Sequence, residues 1–297
     1  MRFPFVARFE TSMARIAPFM SNTVAKMRGV FGESWEARFE ETLSKMFADE
    51  KTMENAIKGY VRFALEATKL QKRFEKDGEY IPKTYDDVAQ DVYHNEEYMR
   101  NLYLPGILLS HYLWPHHYRQ LMYFHEVFVP RMLASDDRSF VDVGVGTGFY
   151  SRQLLCAADD AKGKAYDISQ HAWNYATMQM KAFNLLDRWQ CELRNVLSAE
   201  IRQDWPFLLS VEVLEHLEDP VAFLKRLRAM LRKGGSGFIT AAITAPNADH
   251  IYLYNEPRDI IAQLEEADFG LIDFHEEKGY EPIAGEPVPR IAAFVVS

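Results

Sequence analysis

Phe140-Val141-Asp142-Val143-Gly144-Val145-Gly146-Thr147-Gly148 is a buried apolar run that enters a glycine-rich turn, and a helical pattern follows it from Phe149. Three glycines in five residues let a ligand approach the backbone closely, because any side chain there would fill the space or demand an unfavourable dihedral. A strand end of this shape accepts a nucleotide-like ligand. The spacing is G-x-G-x-G; a dinucleotide site would place its third glycine at position 149, which is Phe149. Asp142, two residues before the first glycine, suits a ligand with an ammonium group and no pyrophosphate. A nucleotide-dependent oxidoreductase is therefore the rival that this spacing disfavours.

Downstream of the turn, short apolar runs alternate with helical segments, the pattern of parallel strands joined by crossover helices. Strands are predicted at Phe140–Val143, Lys164–Tyr166, Glu192–Arg194, Phe207–Val211, Gly237–Ala242, Leu271–His275 and Ile291–Val295. Helices are predicted at about Phe149–Ala158, Gln170–Phe183, Pro220–Leu231 and Pro257–Ala267. The second strand ends in Ala165-Tyr166-Asp167-Ile168-Ser169, which sets Asp167 near the sequence distance at which an acid contacts ribose hydroxyls. The plainer role for Asp167 is to cap the helix that opens at Ser169.

Four segments in the same order resemble class I S-adenosylmethionine-dependent methyltransferases. They are the glycine turn with Asp142, Tyr166-Asp167-Ile168-Ser169, Ser210-Val211-Glu212-Val213-Leu214-Glu215-His216-Leu217-Glu218-Asp219-Pro220, and Leu231-Arg232-Lys233-Gly234-Gly235. The resemblance covers roughly residues 135 to 297. It implies a seven-stranded, mostly parallel, doubly wound sheet with S-adenosyl-L-methionine as cofactor. Gly144, Gly146 and Gly148 would line the methionine portion, Asp142 would hold its amino end and Asp167 the ribose. Ile168 and Glu212 join the cofactor-binding set. Asn195 stands where members often carry an aspartate on the adenine amino group, so it is either an adenine contact or a turn residue. The helical additions of this family cover the cofactor and shape the substrate site, which divides the chain into a helical cap (1–133) and a catalytic domain (134–297).

Upstream, helical periodicity runs from Phe5 to about Leu133, with breaks around Gly32-Glu33-Ser34, Asp77-Gly78 and Pro82. Ser34 and Thr84 read as N-caps, and the longest helix is predicted from about Lys51 to Lys76. Between Tyr93 and Phe128 the composition turns strongly aromatic and histidine-rich. The rings there either pack the helical layer onto the sheet or build a substrate pocket; Tyr103, His117, Tyr118 and His125 are the candidates for the pocket.

Composition narrows the function further. Hydrophobic residues make up 48% of the 297, ample for a sizeable core. Net charge is −9, and Glu256 to Ser297 holds ten acids against three basic residues, which disfavours a polyanionic partner such as nucleic acid. No apolar stretch approaches the roughly 18 to 20 residues that cross a bilayer, and no cleavable leader is evident. Cys156 and Cys191 are too few for a disulfide framework, so a cytoplasmic protein is expected. The expected partner is a small molecule; a homodimer is left open, and RNA or protein acceptors are the alternatives.

Methyl transfer from a sulfonium needs orientation above all; a base is required only where the nucleophile must lose a proton. His216, just past the fourth strand, is the first candidate for that base, with ordering of its loop as the plainer role. After the fifth strand, Asn247-Ala248-Asp249-His250-Ile251-Tyr252 faces the same edge, which adds His250 and Tyr252 as candidate substrate contacts. Two histidines with Glu215 would also suit a divalent metal, but no tight ligand spacing supports one and no metal is expected.

Overall fold

The computed structural model describes residues 2–198, 201, 204–281 and 287–297. Its first half is helical: α1 (Pro4–Ile16), α2 (Thr23–Met46), α3 (Glu50–Asp77), the short α4 (Tyr85–Val88) and α5 (Glu96–Tyr98), α6 (Leu104–Leu113), α7 (Pro115–Tyr123) and α8 (Val129–Leu133). Wide π-helical turns at Ala89–Tyr93, Met99–Tyr103 and Phe124–Phe128 interrupt this run. Such turns recur at functional sites because they re-aim side chains within an otherwise regular helix.

Local chemistry accounts for most of the boundaries. The side chain of Asp49 accepts from the Thr52 amide and opens α3, and Thr84 and Asp87 form the reciprocal cap of α4. Ser34 departs from its expected role. α2 runs through it, and the break lies at Gly32, whose φ of 67° kinks the helix.

The second half alternates strands and helices: β1 (Ser139–Val143), α9 (Phe149–Ala157), β2 (Lys162–Asp167), α10 (Gln170–Ala182), β3 (Trp189–Leu193), β4 (Trp205–Ser210), α11 (Pro220–Met230), β5 (Leu231–Ile243), α12 (Pro257–Glu266), β6 (Leu271–Lys278) and β7 (Arg290–Val296). The strands form one sheet in the order β3-β2-β1-β4-β5-β7-β6. β7 alone runs antiparallel to its neighbours. The order reverses at β1, between β2 and β4, and open α/β sheets bind ligands in the crevice at such a switch point.

One continuous hydrophobic cluster joins the helical layer to the sheet, from Phe9 and Phe39 through Tyr112, Phe149 and Phe124 to Phe207 and Phe238. A second cluster, which includes Leu224, Leu227 and Ile260, fills the space under α11 and α12. The guanidinium of Arg152 on α9 is buried and donates to the hydroxyls of Thr42 and Tyr112. It also lies over the rings of Phe149 and Phe183. A buried charge is tolerable only with such partners, so Arg152 fixes α2 and α6 against the first crossover helix. Of the two cysteines, Cys156 is exposed and Cys191 half-buried, and both are free thiols.

Candidate active site

A cavity of about 710 Å³ opens along the carboxyl ends of β1, β2 and β4 and continues under the helical layer. Its floor is the glycine turn. Gly146 has a φ of +52°, and a Cβ there would meet no protein atom, so it would project into the cavity itself. At Gly144 a Cβ would stand 2.5 Å from Val213 Cγ2, so the β4 loop approaches the turn too closely for any other residue. Gly146 thus leaves its backbone open to a ligand lying along the strand ends.

Two buried carboxylates frame this floor. Asp167 accepts from the amide of Gly146 at 3.0 Å and from that of Ser169 at 2.8 Å. Burial raises its pKa and these amides oppose the rise; lone pairs on both oxygens remain for a diol. Asp142 accepts from Ser151 Oγ at 2.7 Å. Burial pushes it up to about 7 against the pull of that hydrogen bond, with the charge of Asp167 adding to the rise.

A further part of the cavity wall is built from two loops. Val213 and Leu214 carry the chain from β4 into a single 3-10 turn, Leu214–His216. Glu215, fully buried, accepts from the Ala242 amide through its side chain, and its carbonyl takes the amides of Ile251 and Tyr252. That backbone pairing holds the loop after β5 against the loop after β4. His216 then lies beside Asp249, its Nδ1 3.1 Å from the Asp249 carbonyl and 3.2 Å from Oδ2. Tyr103 and Tyr93, from two of the π-helical turns, donate to the same Oδ2.

The electrostatics of this part are coherent. Burial alone would lower the pKa of His216, but the charge and hydrogen bonds of Asp249, with Glu215, outweigh it and push it up to about 10. Asp249 is correspondingly held well below the usual carboxylate range despite its burial. His250 is pushed down to about 3 by burial and by the neighbouring His216, so it is a neutral imidazole. Glu212 and Glu215 are both raised, chiefly by burial, with the charge of Glu215 adding to the rise at Glu212. Glu212 sits in the left-handed region at φ 54°, and its carboxyl accepts from Thr240 Oγ1 at 2.6 Å. A non-glycine residue held there by surrounding bonds is a recurrent feature of functional sites.

Comparison with known proteins bears on this geometry. The sequence model described as "Methyltransferase domain" matches residues 141–236. Residues 141–236 thus match a methyltransferase domain. Ubiquinone biosynthesis O-methyltransferase of Parvibaculum lavamentivorans is 33% identical over 104 residues, which are 35% of this chain and 40% of that protein. The chain thus spans less than half the length of this curated relative. Among solved structures, an O-methyltransferase of neocarzinostatin biosynthesis, in complex with S-adenosylmethionine and 2-hydroxy-5-methyl naphthoic acid, aligns over 89% of this chain and 74% of its own. Its TM-score is 0.55 at 14% identity. Phosphoethanolamine N-methyltransferase 2 of Haemonchus contortus aligns over 72% and 60%, with a TM-score of 0.53 at 14% identity. At these identities the two structures speak for the fold.

The fold brings Asp142, Gly144, Gly146, Asp167, Ile168, Glu212, His216 and His250 to the wall of one cavity. Three candidates stand elsewhere. Gly148 packs against Ala176 and Met180 of α10 and serves helix contact. The Asn195 side chain accepts from the Leu197 amide, a turn role, and does not line the cavity. Tyr252 turns toward α12, where its hydroxyl accepts from Gln263. Of the four aromatic candidates, Tyr103 and His117 line the cavity together with His111, Trp114 and His116, whereas Tyr118 packs within the core of the helical layer and His125 stands 3.0 Å from Gln153 on α9. Sequence reasoning missed Asp249 as a partner of His216. Its only local signal was an acid beside a histidine on a loop at the ligand edge. Among the described residues no helix is long and apolar enough to cross a membrane.

Proposed function

We propose that this chain binds S-adenosylmethionine on the floor of the cavity and transfers its methyl group to a small molecule enclosed under the helical layer. The observation that carries the reading is continuity. One cavity joins the glycine turn, Asp142 and Asp167 to a wall of rings and imidazoles, so cofactor and acceptor share one space. Its volume falls within the range of small-ligand sites.

The donor set fits the cofactor. Asp167 faces the place of a ribose diol, Asp142 that of an ammonium, and Gly146 leaves the backbone free between them. When bound, the cofactor supplies an electrophilic methyl on a good leaving group. The protein's part is to align the acceptor with that methyl and exclude water. The rings of Tyr103, Trp114 and His117 give a planar acceptor apolar faces to rest on. His216 and His250 offer ring nitrogens at the point of approach. Oxygen is the favoured acceptor atom, since the curated relative is an O-methyltransferase, and a role in specialised metabolism is part of this reading.

Calorimetric titration with S-adenosylhomocysteine tests the cofactor half of this reading, and mass spectrometry of metabolite extracts incubated with methyl-labelled cofactor tests the acceptor half. One product molecule should bind per chain; no binding at millimolar concentration overturns the proposal.

The state of Asp142 gives a pH dependence with a definite sign. The ammonium of the ligand favours the carboxylate, so the complex has a lower Asp142 pKa than the free chain, where it is about 7. Below that pH the free chain carries a proton that binding must release, so affinity falls as pH falls. Between pH 8 and pH 6 S-adenosylhomocysteine should bind roughly tenfold more weakly, and Asp142→Asn should flatten the dependence. An unchanged slope in the Asn variant would assign the proton to another group.

A further inference from the structure

We propose that Glu215, His216 and His250 bind a divalent first-row transition-metal ion at the acceptor end of the cavity, with Glu212 as an adjoining oxygen donor and Asp249 orienting His216. One ligand atom from each of the three lies within 4.8 Å of the others. Nitrogen and carboxylate ligands about 2.1 Å from a common ion stand roughly 3 to 4.2 Å apart, so closure requires side-chain shifts of about half an ångström.

Three observations point to a ligand. First, His216 is arranged as a metal-bound histidine is. Its Nδ1 is committed to Asp249, which leaves Nε2 turned toward Glu215 Oε1 at 4.0 Å. Second, Glu215 Oε2 and His250 Nδ1 are buried without a hydrogen-bond partner, and both residues are more than nine-tenths buried. Buried polar atoms are nearly always paired, and one cation would satisfy both. Third, Glu212, three residues before Glu215 on the same loop, brings a second carboxyl group to the cavity wall beside Thr240, an arrangement that a divalent charge relieves.

The donor set names the class of ion. Two imidazoles with carboxylate suit zinc, manganese or iron better than magnesium or calcium, which prefer all-oxygen shells. Glu215 lies behind the wall, whereas His216, His250 and Glu212 face the cavity. Three protein ligands leave coordination positions open on that side, as catalytic rather than structural metal sites do. Given the methyltransferase reading, on which this role rests, those positions would take an oxygen donor of the acceptor and fix it for attack.

The test uses the full chain, stripped of metal with chelator and dialysed. Zn²⁺ is titrated by calorimetry, Co²⁺ is followed by its visible absorption, and S-adenosylhomocysteine is titrated into the same preparation. One ion should bind per chain. Glu215→Gln and His250→Gln should each weaken Zn²⁺ binding at least about 100-fold, and Asp249→Asn about 10- to 100-fold. His275→Gln, which alters a separate histidine beside Glu277, should leave affinity unchanged. If wild type binds no ion, or if folded Glu215→Gln and His250→Gln variants keep its affinity, the metal site is refuted. Loss of the ion in His275→Gln alone would refute it equally. Should Glu215→Gln not fold, His250→Gln and the Co²⁺ spectrum carry the decision. Product binding without metal binding overturns this inference alone; metal binding without product binding overturns the methyltransferase reading alone.

Discussion

Replacing His216 with alanine is expected to slow methyl transfer by about 100- to 10,000-fold while S-adenosylhomocysteine affinity stays close to wild type. The expectation rests on position. His216 lines the same cavity as Asp142 and Asp167, with Nδ1 held by Asp249. Its loss removes a group that acts on the acceptor and leaves the cofactor floor intact. Asparagine separates the two roles this residue can have. An Asn amide reproduces the donation to Asp249, and with it the order of the loop, but offers nothing where Nε2 stood. An active role, as proton carrier or as ligand, makes Asn nearly as poor as Ala. A role confined to loop order lets Asn work. Steady-state kinetics in which His216→Asn turns over within about threefold of wild type from pH 6 to 9 would withdraw the assignment.

Asp167→Ala should weaken S-adenosylhomocysteine binding by about 1.5 to 3 kcal/mol, which is about 10- to 150-fold, because charge-assisted bonds to the ribose hydroxyls are lost. The carboxylate also anchors the Gly146 and Ser169 amides, so the turn itself loosens in the Ala variant. Asp167→Asn divides these contributions: its single carbonyl keeps one amide contact and drops the charge, so its affinity should fall between wild type and Ala. Calorimetry on variants whose thermal unfolding shows them folded is the measurement. Unchanged affinity in folded Asp167→Ala would remove this residue from the site.

These two residues illustrate different depths of legibility. Asp167 was readable because every element of its role is local: a strand end, a turn with glycines upstream, and a helix start at Ser169 whose side chain accepts from Ala172. His216 was readable as a position at the ligand edge, but its state was not. That state depends on Asp249, thirty-three residues away on another loop, and on two tyrosines from the helical half.

The sequence by itself determined the alternation of strands and helices, the helical character of the first half, the glycine turn and the acids flanking it. Each of these follows from forces that act over a few residues: the period of apolar side chains, the dihedral freedom of glycine at Gly146, and caps such as Thr84 with Asp87. Only the tertiary structure decided which of the aromatic residues face the cavity, that Tyr252 and Asn195 turn away from it, and that Glu215, His216 and His250 converge. Where a loop side chain points is set by what packs against it, and here those partners come from distant segments: the Glu215 carbonyl holding the amides of Ile251 and Tyr252, and the hydroxyls of Tyr93 and Tyr103 on Asp249. Such contacts carry no local pattern, because they exist only once the helical layer has closed over the sheet.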